Sequence, residues 1–440
     1  MYKFFLIAFL ASSLLQAQHI LPLKERATII EKIQKDRLDN LLPKLMQQHT
    51  IDMWVLITRE YNEDPVVKTL LPPTWLNARR RTILVFSKDK DGKTDRVAIT
   101  RYAFGKNIRS IWKKEEQPDQ WQALADYIAQ QNPKRIGLNI SEHYALADGM
   151  VKTDYDAFLN ALPNKFHSRI VSAEPLAVSW VETRTPLEMT LYSQLVAITH
   201  KIIKEAFSTA VITPGVTTTE DVVWWLREKV LALGLKTWFH PTVDVQRSDH
   251  SDLYGFDGES KFDVIRSGDL LHCDFGITYL TLNTDCQELA YVLRPGETNP
   301  PNFLKEALAA GNQVQDLFTN QFKEGRTGNE TLKRALEVGF NKGFRPQIYT
   351  HPLGTFGHSA GTTFGMWDAQ EGVPGSGDHP LQLNTVYAIE LNTKVYVEEW
   401  KKDVRVMLEE AGFFGANGFR YVNGRQTELL LVGSKGEYLE

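Results

Sequence analysis

Two aspartates, Asp274 and Asp285, lie in one apolar, β-prone stretch, LLHCDFGITYLTLNTDCQELAYVL, which constrains the fold more than any other feature. The segment GITYLTLNT between them is long enough to reverse the chain, so the flanking runs predict an antiparallel hairpin. We expect the two aspartates to face each other across this hairpin, with both carboxylates on one side. Buried carboxylates at that separation repel each other and are costly to desolvate, so the pair indicates a shared proton or a bound cation.

The same hairpin contains both cysteines of the chain, Cys273 and Cys286. In the register that pairs the aspartates, the cysteines oppose each other on the other face. An oxidising compartment would permit a disulfide between them. Because directly opposed strand positions strain such a bond, we favour two buried thiols that act as small apolar side chains.

The bulk properties limit the classes of function. The chain has 440 residues, more than one ordinary core accommodates, so we expect two domains. Its formal net charge of −4 gives no electrostatic basis for binding nucleic acid. Residues 1–17 combine a positive start with an apolar run over 4–15 that is too short to span a bilayer. We predict a secretory signal peptide over 1–17, export to the periplasm or the extracellular space, and no membrane contact after cleavage; a buried N-terminal helix is the alternative.

Hydrophobic periodicity divides the rest of the chain into two domains. Residues 18–178 alternate between helix and strand patterns, which predicts an α/β domain. Its clearest segments are helices over 23–48 and 117–131 and strands over 53–58, 82–86, 96–100 and 135–140. Residues 179–440 predict an α+β domain in which helices cover a curved antiparallel sheet. Its helices are expected near 187–211, 217–235, 303–324 and 329–343.

Three later segments contain further residues that can bind a metal. THPLGTFGHSAG contains His351 and His358, NTVYAIELNT contains Glu390, and DVRVMLEEAGFF contains Glu409 and Glu410. Charged side chains in apolar strands need a reason to be there. Four carboxylates would balance two divalent cations, and oxygen ligands with one imidazole suit Mn²⁺, Co²⁺ or Zn²⁺. Arg405 shares strand parity with Glu409, which favours Glu409 over Glu410 as the ligand.

These motifs resemble the pita-bread metallopeptidases, which include methionine aminopeptidase, aminopeptidase P and prolidase, with creatinase as a non-metal relative. The resemblance covers about 180–433, and the region before it resembles the creatinase-type N-terminal domain of aminopeptidase P and prolidase. It implies a metal-ligand set taken in the family's order: Asp274, Asp285, His351, Glu390 and Glu409.

The resemblance also implies the chemistry. Two divalent ions, Mn²⁺ first and Co²⁺ or Zn²⁺ otherwise, would hold a bridging hydroxide that attacks the scissile carbonyl. Glu390 would transfer the proton to the leaving nitrogen, and His358 and His250 would polarise the carbonyl, with Arg405 beside the site.

Several assignments stay open at this stage. His358 could be the ligand and His351 the catalytic histidine, because each is the first residue of a His-x-x-Gly motif. Glu410 remains possible in place of Glu409, and His240 in place of His250. His272, on the face of Asp274, either supports the ligands or is simply packed.

The resulting prediction is an exported aminopeptidase that cleaves an N-terminal Xaa-Pro bond of a peptide substrate, with a homodimer as a possible assembly. The alternatives are a prolidase restricted to dipeptides, a creatinase-like amidinohydrolase, and a peptide-binding protein that has lost catalysis.

Overall fold

The computed structural model describes residues 20–88, 93–249 and 262–433. The predicted signal peptide and His250 lie outside these residues. Within them, no helix is long and apolar enough to cross a membrane.

The N-terminal half forms a six-stranded mixed sheet with helices on both faces. The helices and strands in chain order are α1 (Leu23–Asp36), α2 (Leu42–Gln48), β1 (Met53–Arg59), α3 (Pro65–Leu70), β2 (Arg81–Lys88), β3 (Thr94–Ala98), β4 (Arg109–Ser110), α4 (Gln120–Gln131), β5 (Ile136–Leu138), α5 (Lys152–Ala161), β6 (Ile170–Ser172) and α6 (Glu174–Glu182). The strand order in the sheet is β4-β3-β2-β1-β5-β6. The central strand, β1, is buried on both faces, since Trp54 and Leu56 pack in one core and Val55 and Ile57 in the other. This explains its continuous apolar run.

The predicted helix over 23–48 is continuous but irregular. A π-helical turn, Arg37–Leu41, joins α1 to α2. Pro43 has no N–H for the regular bond to residue 39, which accounts for the wider turn at this position. The division between domains at residue 178 falls inside α6, whose residues up to Val181 pack in the N-terminal core, and the domain boundaries themselves stay predictions.

The C-terminal half contains a curved, mainly antiparallel nine-stranded sheet covered by helices. The helices and strands in chain order are α7 (Pro186–Ala206), α8 (Thr219–Ala232), β7 (Thr242–Gln246), β8 (Leu270–Phe275), β9 (Thr278–Tyr279), β10 (Leu282–Asn283), β11 (Cys286–Val292), α9 (Asn302–Thr319), α10 (Gly328–Asn341), β12 (Pro346–Ile348), β13 (His351–Leu353), β14 (Thr385–Val397), β15 (Lys402–Gly415), β16 (Gly418–Tyr421) and β17 (Leu430–Val432). The path through the sheet is β12-β14-β15-β11-β8-β7. Helices α7 and α8 pack on β8 and β11, whereas α9 and α10 pack on β14 and β15. The predicted fold class is confirmed.

The start of α7 also joins the two halves of the chain. Thr185 and Glu188 form a capping box, which confirms the predicted helix start. Glu188 is buried and accepts hydrogen bonds from Arg37 of the N-terminal half at 2.8 Å and from Arg184 at 2.9 Å. One carboxylate therefore satisfies the helix terminus and two buried guanidinium groups.

The hairpin register differs from the predicted one by two residues. Asp274 pairs with Gln287, not with Asp285, because the chain turns at Leu280 and Thr281, both at positive φ. Such a two-residue turn has the twist that a tight hairpin requires. A shift of two preserves the faces of the strands. Both aspartates therefore still project from one side, as diagonal rather than direct neighbours.

The register changes the cysteine prediction in the same way. Cys273 pairs with Glu288 and Cys286 with Phe275, so the expected direct opposition of the cysteines is wrong. Both thiols are free and buried. This agrees with the interpretation of two buried thiols.

Candidate metal centre

Four of the polar side chains at the centre occupy a single row across the sheet. Asp274 pairs with Gln287, Gln287 with Glu409, and Glu409 with Glu390. Directly paired residues of neighbouring strands project from the same face. The antiparallel register therefore brings together three carboxylates that are far apart in the sequence.

The other two predicted ligands border this row. Asp285 precedes Gln287 by two residues on the same side, and His351 of β13 pairs with Ala388 beside Glu390. His351 Nε2 lies 3.7 Å from Asp285 Oδ2 and 3.8 Å from Glu409 Oε1. All five predicted ligand residues thus meet at one place.

The ligand atoms divide into two groups that share Glu409. One group comprises Asp285, His351 and Glu409, and the other comprises Asp274, Glu390 and Glu409. Within each group the ligand atoms lie within 4.8 Å of one another. A carboxylate has two oxygens, so Glu409 can serve both groups.

Orphaned atoms at the centre fit a cation. One oxygen of each of Asp274, Asp285 and Glu409 is buried without a hydrogen-bond partner, and so is His351 Nε2. Buried polar atoms are nearly always satisfied, so these four require a partner of another kind. A divalent cation with oxygen and imidazole ligands satisfies acceptors that have no donors.

The electrostatics of the carboxylates lead to the same conclusion. Burial raises the pKa of Asp274 to about 7. Burial, and then the neighbouring carboxylates, raises the pKa of Asp285 and Glu409 well above its usual range, and the same causes act on Glu390. A positive ion would offset these shifts, because an adjacent positive charge favours the ionised carboxylates.

The tautomer of His351 favours it over His358 as the ligand. His351 Nδ1 lies 3.0 Å from the carbonyl oxygen of Pro352, which accepts its hydrogen and leaves Nε2 bare toward Asp285 and Glu409. Burial lowers the pKa of His351 to about 3, so the ring is neutral, as a metal ligand must be. His358 is exposed and meets His351 edge-on, with ring centroids 4.6 Å apart.

The strand also distinguishes the two adjacent glutamates. Glu409 faces the centre, whereas Glu410 projects to the opposite face and bonds to His200 at 2.8 Å. This agrees with the preference for Glu409 that strand parity indicated.

Gln287 is a residue of the centre that the sequence did not single out. Its Nε2 donates to Glu390 Oε1 at 2.6 Å and to Glu409 Oε2 at 2.9 Å. Its Oε1 lies 2.9 Å from Nε2 of His272, and His272 Nδ1 lies 3.2 Å from Asp244. Both ring nitrogens therefore face acceptors, and the chain Asp244–His272–Gln287 fixes the amide that orients two ligands. Of the two interpretations of His272, the structure supports the one in which it assists the ligands.

Arg405 and His240 are the remaining candidates within the described part of the chain. Arg405 donates from Nη2 to Gln347 Oε1 at 3.1 Å, further along the face of Glu409. His240, the alternative to His250 as the upstream catalytic histidine, is exposed and contacts Trp224 and Arg227. These contacts do not connect His240 to a candidate ligand.

Trp238 contacts the exposed His358, and the N-terminal half contacts the segment that follows it. Trp238 meets His358 edge-on at 5.1 Å and donates to the carbonyl oxygen of Thr284 at 2.9 Å, directly before Asp285. Beyond His358, the hydroxyl of Tyr144 donates to the carbonyl oxygen of Gly361 at 3.1 Å. Both contacts join distant segments, which explains why local sequence patterns did not reveal them.

A buried row of carboxylates with one bare imidazole, on a curved sheet covered by helices, defines a metal-dependent hydrolase. The chain belongs to metallopeptidase family M24, whose family model matches residues 191–418. No curated protein sequence matches the chain.

Solved structures resemble nearly the whole chain at low identity. An X-Pro aminopeptidase from Thermotoga maritima is 17% identical with a TM-score of 0.62, covering 88% of this chain and 100% of its own. The prolidase from Pyrococcus horikoshii OT3 is 15% identical with a TM-score of 0.54, covering 92% and 99%. The N-terminal domain of the FACT complex subunit SPT16 from Cicer arietinum is 12% identical with a TM-score of 0.54, covering 93% and 99%. These similarities establish the pita-bread fold together with its N-terminal α/β domain.

Proposed function

We propose that the protein is an exported aminopeptidase that hydrolyses the N-terminal Xaa-Pro bond of peptides with two divalent metal ions. The observation that carries the proposal is the pair of ligand groups that share Glu409. One ion would be held by Asp285, His351 and Glu409, and the other by Asp274, Glu390 and Glu409. Four carboxylates match the charge of two divalent ions.

When bound, the ions would supply Lewis acidity and a water of lowered pKa. Glu390 is the proton carrier in this proposal. Its Oε1 is held by Gln287, which leaves Oε2 to accept a proton from the attacking water and to pass it to the leaving nitrogen. The hydrogen bond from Gln287 limits the motion of the Glu390 carboxylate as it accepts the proton from the water and passes it to the leaving nitrogen.

His358 is the candidate for the substrate carbonyl. It is exposed beside the ligands, and Trp238 holds its ring edge-on. From there its imidazole can donate to the carbonyl oxygen as negative charge develops on it. His250, which lies outside the described residues, remains the proposed second histidine that polarises the substrate carbonyl.

The proposed substrate class is taken from structurally similar proteins, an X-Pro aminopeptidase and a prolidase among them. Mn²⁺ is the proposed metal, with Co²⁺ or Zn²⁺ as alternatives, because the ligands are mainly oxygens. A peptide-binding role without catalysis is the competing class, since a subunit of a protein complex, SPT16 of FACT, also resembles this chain. The complete set of five ligand residues supports catalysis.

The test uses the mature chain loaded with Mn²⁺. We expect hydrolysis of a tripeptide Xaa-Pro-Xaa, loss of activity with a chelator, and recovery with Mn²⁺. An Xaa-Ala-Xaa peptide is the control for proline preference, and an Xaa-Pro dipeptide separates an aminopeptidase from a dipeptidase. A chain that binds no metal and cleaves none of these peptides would refute the proposal.

Export and assembly are tested separately. Expression of the full chain should yield a product in the exported fraction that begins near Gln18. Light scattering of the mature chain measures whether it forms the expected homodimer.

A further inference from the structure

A second set of ligating side chains lies on the opposite face of the strands that carry the metal ligands. Successive side chains of a strand project to opposite faces. Cys286 follows Asp285, and Glu410 follows Glu409, so both project away from the peptidase centre. Helix α7 covers this outer face and directs His200 toward them.

The outer cluster consists of three side chains whose ligand atoms lie close together, His200, Cys286 and Glu410, and of Glu288 beside His200. The ligand atoms of His200, Cys286 and Glu410 are all within 4.8 Å of one another. His200 Nε2 lies 2.8 Å from Glu410 Oε2 and 3.9 Å from Glu288 Oε1. The residues come from α7, β11 and β15, so the fold, not a local sequence motif, assembles the cluster.

Glu288 provides an independent indication of a ligand. The residue is 7% exposed, and it directs a carboxylate oxygen at His200. Among the residues that the structure describes, neither of its carboxylate oxygens has a hydrogen bond. Lys204, one turn along α7 from His200, is near enough for its charge to act on Glu288. A buried carboxylate without hydrogen bonds is costly, and bound cations are one of the few ways to compensate it.

The neighbours of the outer cluster hold Glu410 and His200 in different ways. The backbone N–H of Gln426 donates to Glu410 Oε1 at 3.0 Å, which leaves Oε2 directed at the cluster. Nδ2 of Asn423 lies 3.4 Å from His200 Nδ1 and can donate to it, and His200 Nε2 then donates its hydrogen to Glu410 Oε2. Metal binding at Nε2 therefore requires the Asn423 amide to turn its oxygen toward Nδ1, where it would accept the ring hydrogen from outside the ligand shell.

The chemistry of the set differs from that of the peptidase centre. One thiolate, one imidazole and two carboxylates make four ligands of the kinds that Zn²⁺ prefers, whereas the peptidase centre offers no sulfur. Tetrahedral Zn²⁺ separates its ligand atoms by about 3.3–3.8 Å, as follows from bond lengths of about 2.0–2.3 Å. The separations of 2.8 and 3.9 Å from His200 Nε2 to the two glutamates bracket this range, and the Cys286 sulfur lies within 4.8 Å of the ligand atoms of His200 and Glu410.

We propose that His200, Cys286, Glu288 and Glu410 bind a further divalent metal ion, Zn²⁺ by ligand type, on the outer face of the sheet. On binding, the Cys286 thiol loses its proton to solvent and its sulfur becomes a ligand. The ion would link β11 to β15 and to α7 directly behind Asp285 and Glu409. The competing arrangement is a metal-free ion pair between His200 and Glu410.

Cobalt spectroscopy of the full mature chain separates the two arrangements. Co²⁺ bound to a thiolate absorbs in the near ultraviolet by sulfur-to-metal charge transfer, and Co²⁺ bound only to oxygen and imidazole does not. We expect this band in the Co²⁺-loaded protein, with its loss and one fewer metal equivalent in Cys286→Ser. The matched control, Cys273→Ser, removes the other buried thiol and should keep both the band and the metal content.

Three further measurements keep the test decisive if one variant misfolds. His200→Ala changes a partly exposed residue of α7 and should also lose one metal equivalent. His351→Ala, which impairs the peptidase centre, should retain the thiolate band. X-ray absorption of the Zn²⁺-loaded protein should detect a sulfur neighbour at about 2.3 Å. Equal metal content in wild type, Cys286→Ser and His200→Ala, without a thiolate band, would refute the outer site and establish the ion pair.

Discussion

Replacing Gln287 by Leu should weaken metal binding at the peptidase centre without altering any metal ligand. The substitution keeps most of the side-chain volume and removes both N–H donors from Glu390 and Glu409, at 2.6 and 2.9 Å. Each is a hydrogen bond to a charged group, and such bonds contribute about 1.5–3 kcal/mol. His272 also loses the acceptor that it meets at 2.9 Å.

Only part of this energy contributes to metal affinity, because the hydrogen bonds are present with and without a bound ion. The substitution weakens metal binding because Glu390 and Glu409 are no longer held in position before the ion binds. Partners of this kind change metal affinity by about 10–100-fold. This corresponds to ~1.4–2.7 kcal/mol of binding free energy. The expected dissociation constant for Mn²⁺ therefore rises by one to two orders of magnitude.

The assay is a competition titration against a chelator of known affinity at fixed pH, followed by metal analysis rather than by activity. Gln120→Leu is the matched control, since Gln120 donates two hydrogen bonds to backbone carbonyls in the N-terminal domain. It should leave the dissociation constant unchanged. Gln287→Asn retains the amide on a shorter side chain and should fall between wild type and Gln287→Leu. A Gln287→Leu affinity within twofold of wild type would show that the amide does not organise the ligands.

Three other predictions concern stability. Metal removal should lower the melting temperature, because an ion at 100 times its dissociation constant stabilises the fold by about 2.7 kcal/mol per site; equal melting curves with and without chelator would contradict this. Glu188→Gln should lower the free energy of unfolding, measured with denaturant, by about 3–5 kcal/mol, because it leaves two buried arginines without their carboxylate. Glu116→Gln, which removes the carboxylate of an exposed ion pair, is the control and should leave the free energy of unfolding nearly unchanged. Burial raises the pKa of Asp64 from 3.8 to about 6, so the folded state binds this proton more tightly than the unfolded state does. The proton therefore stabilises the fold at low pH, and this stabilisation is lost as the pH rises through 6. The free energy of unfolding of Asp64→Asn, relative to that of the wild type, should therefore increase by about 2 kcal/mol between pH 4 and 7. A difference between the two proteins that does not change with pH would contradict the raised pKa.

The strand patterns predicted the faces of the ligands better than their pairing. Parity alone places Asp274 and Asp285 on one side of a hairpin, because a shift of two residues leaves the faces unchanged. The pairing itself depended on a turn at Leu280 and Thr281, which both have positive φ although neither is glycine. Such residues are uncommon at this backbone conformation, so the sequence contained no signal for the turn.

The contribution of Gln287 could not be inferred for a related reason. A glutamine in an apolar strand is unremarkable until the partner strands on both sides are known. Its function appears only when β8 and β15 place Asp274 and Glu409 on either side of it. The packing of Trp238 on His358 likewise joins segments more than a hundred residues apart. Contacts of this kind depend on the fold and not on local pattern.

The glutamate doublet makes β15 unequally tolerant of changes in length. Deleting one residue between Arg405 and Glu409 would advance Glu410 into the row that holds Asp274 and Gln287, so the centre would still receive a carboxylate. Inserting one residue would bring Leu408 into that position and leave an apolar side chain among the ligands. Laboratory evolution of this strand should therefore recover functional single deletions more often than functional single insertions.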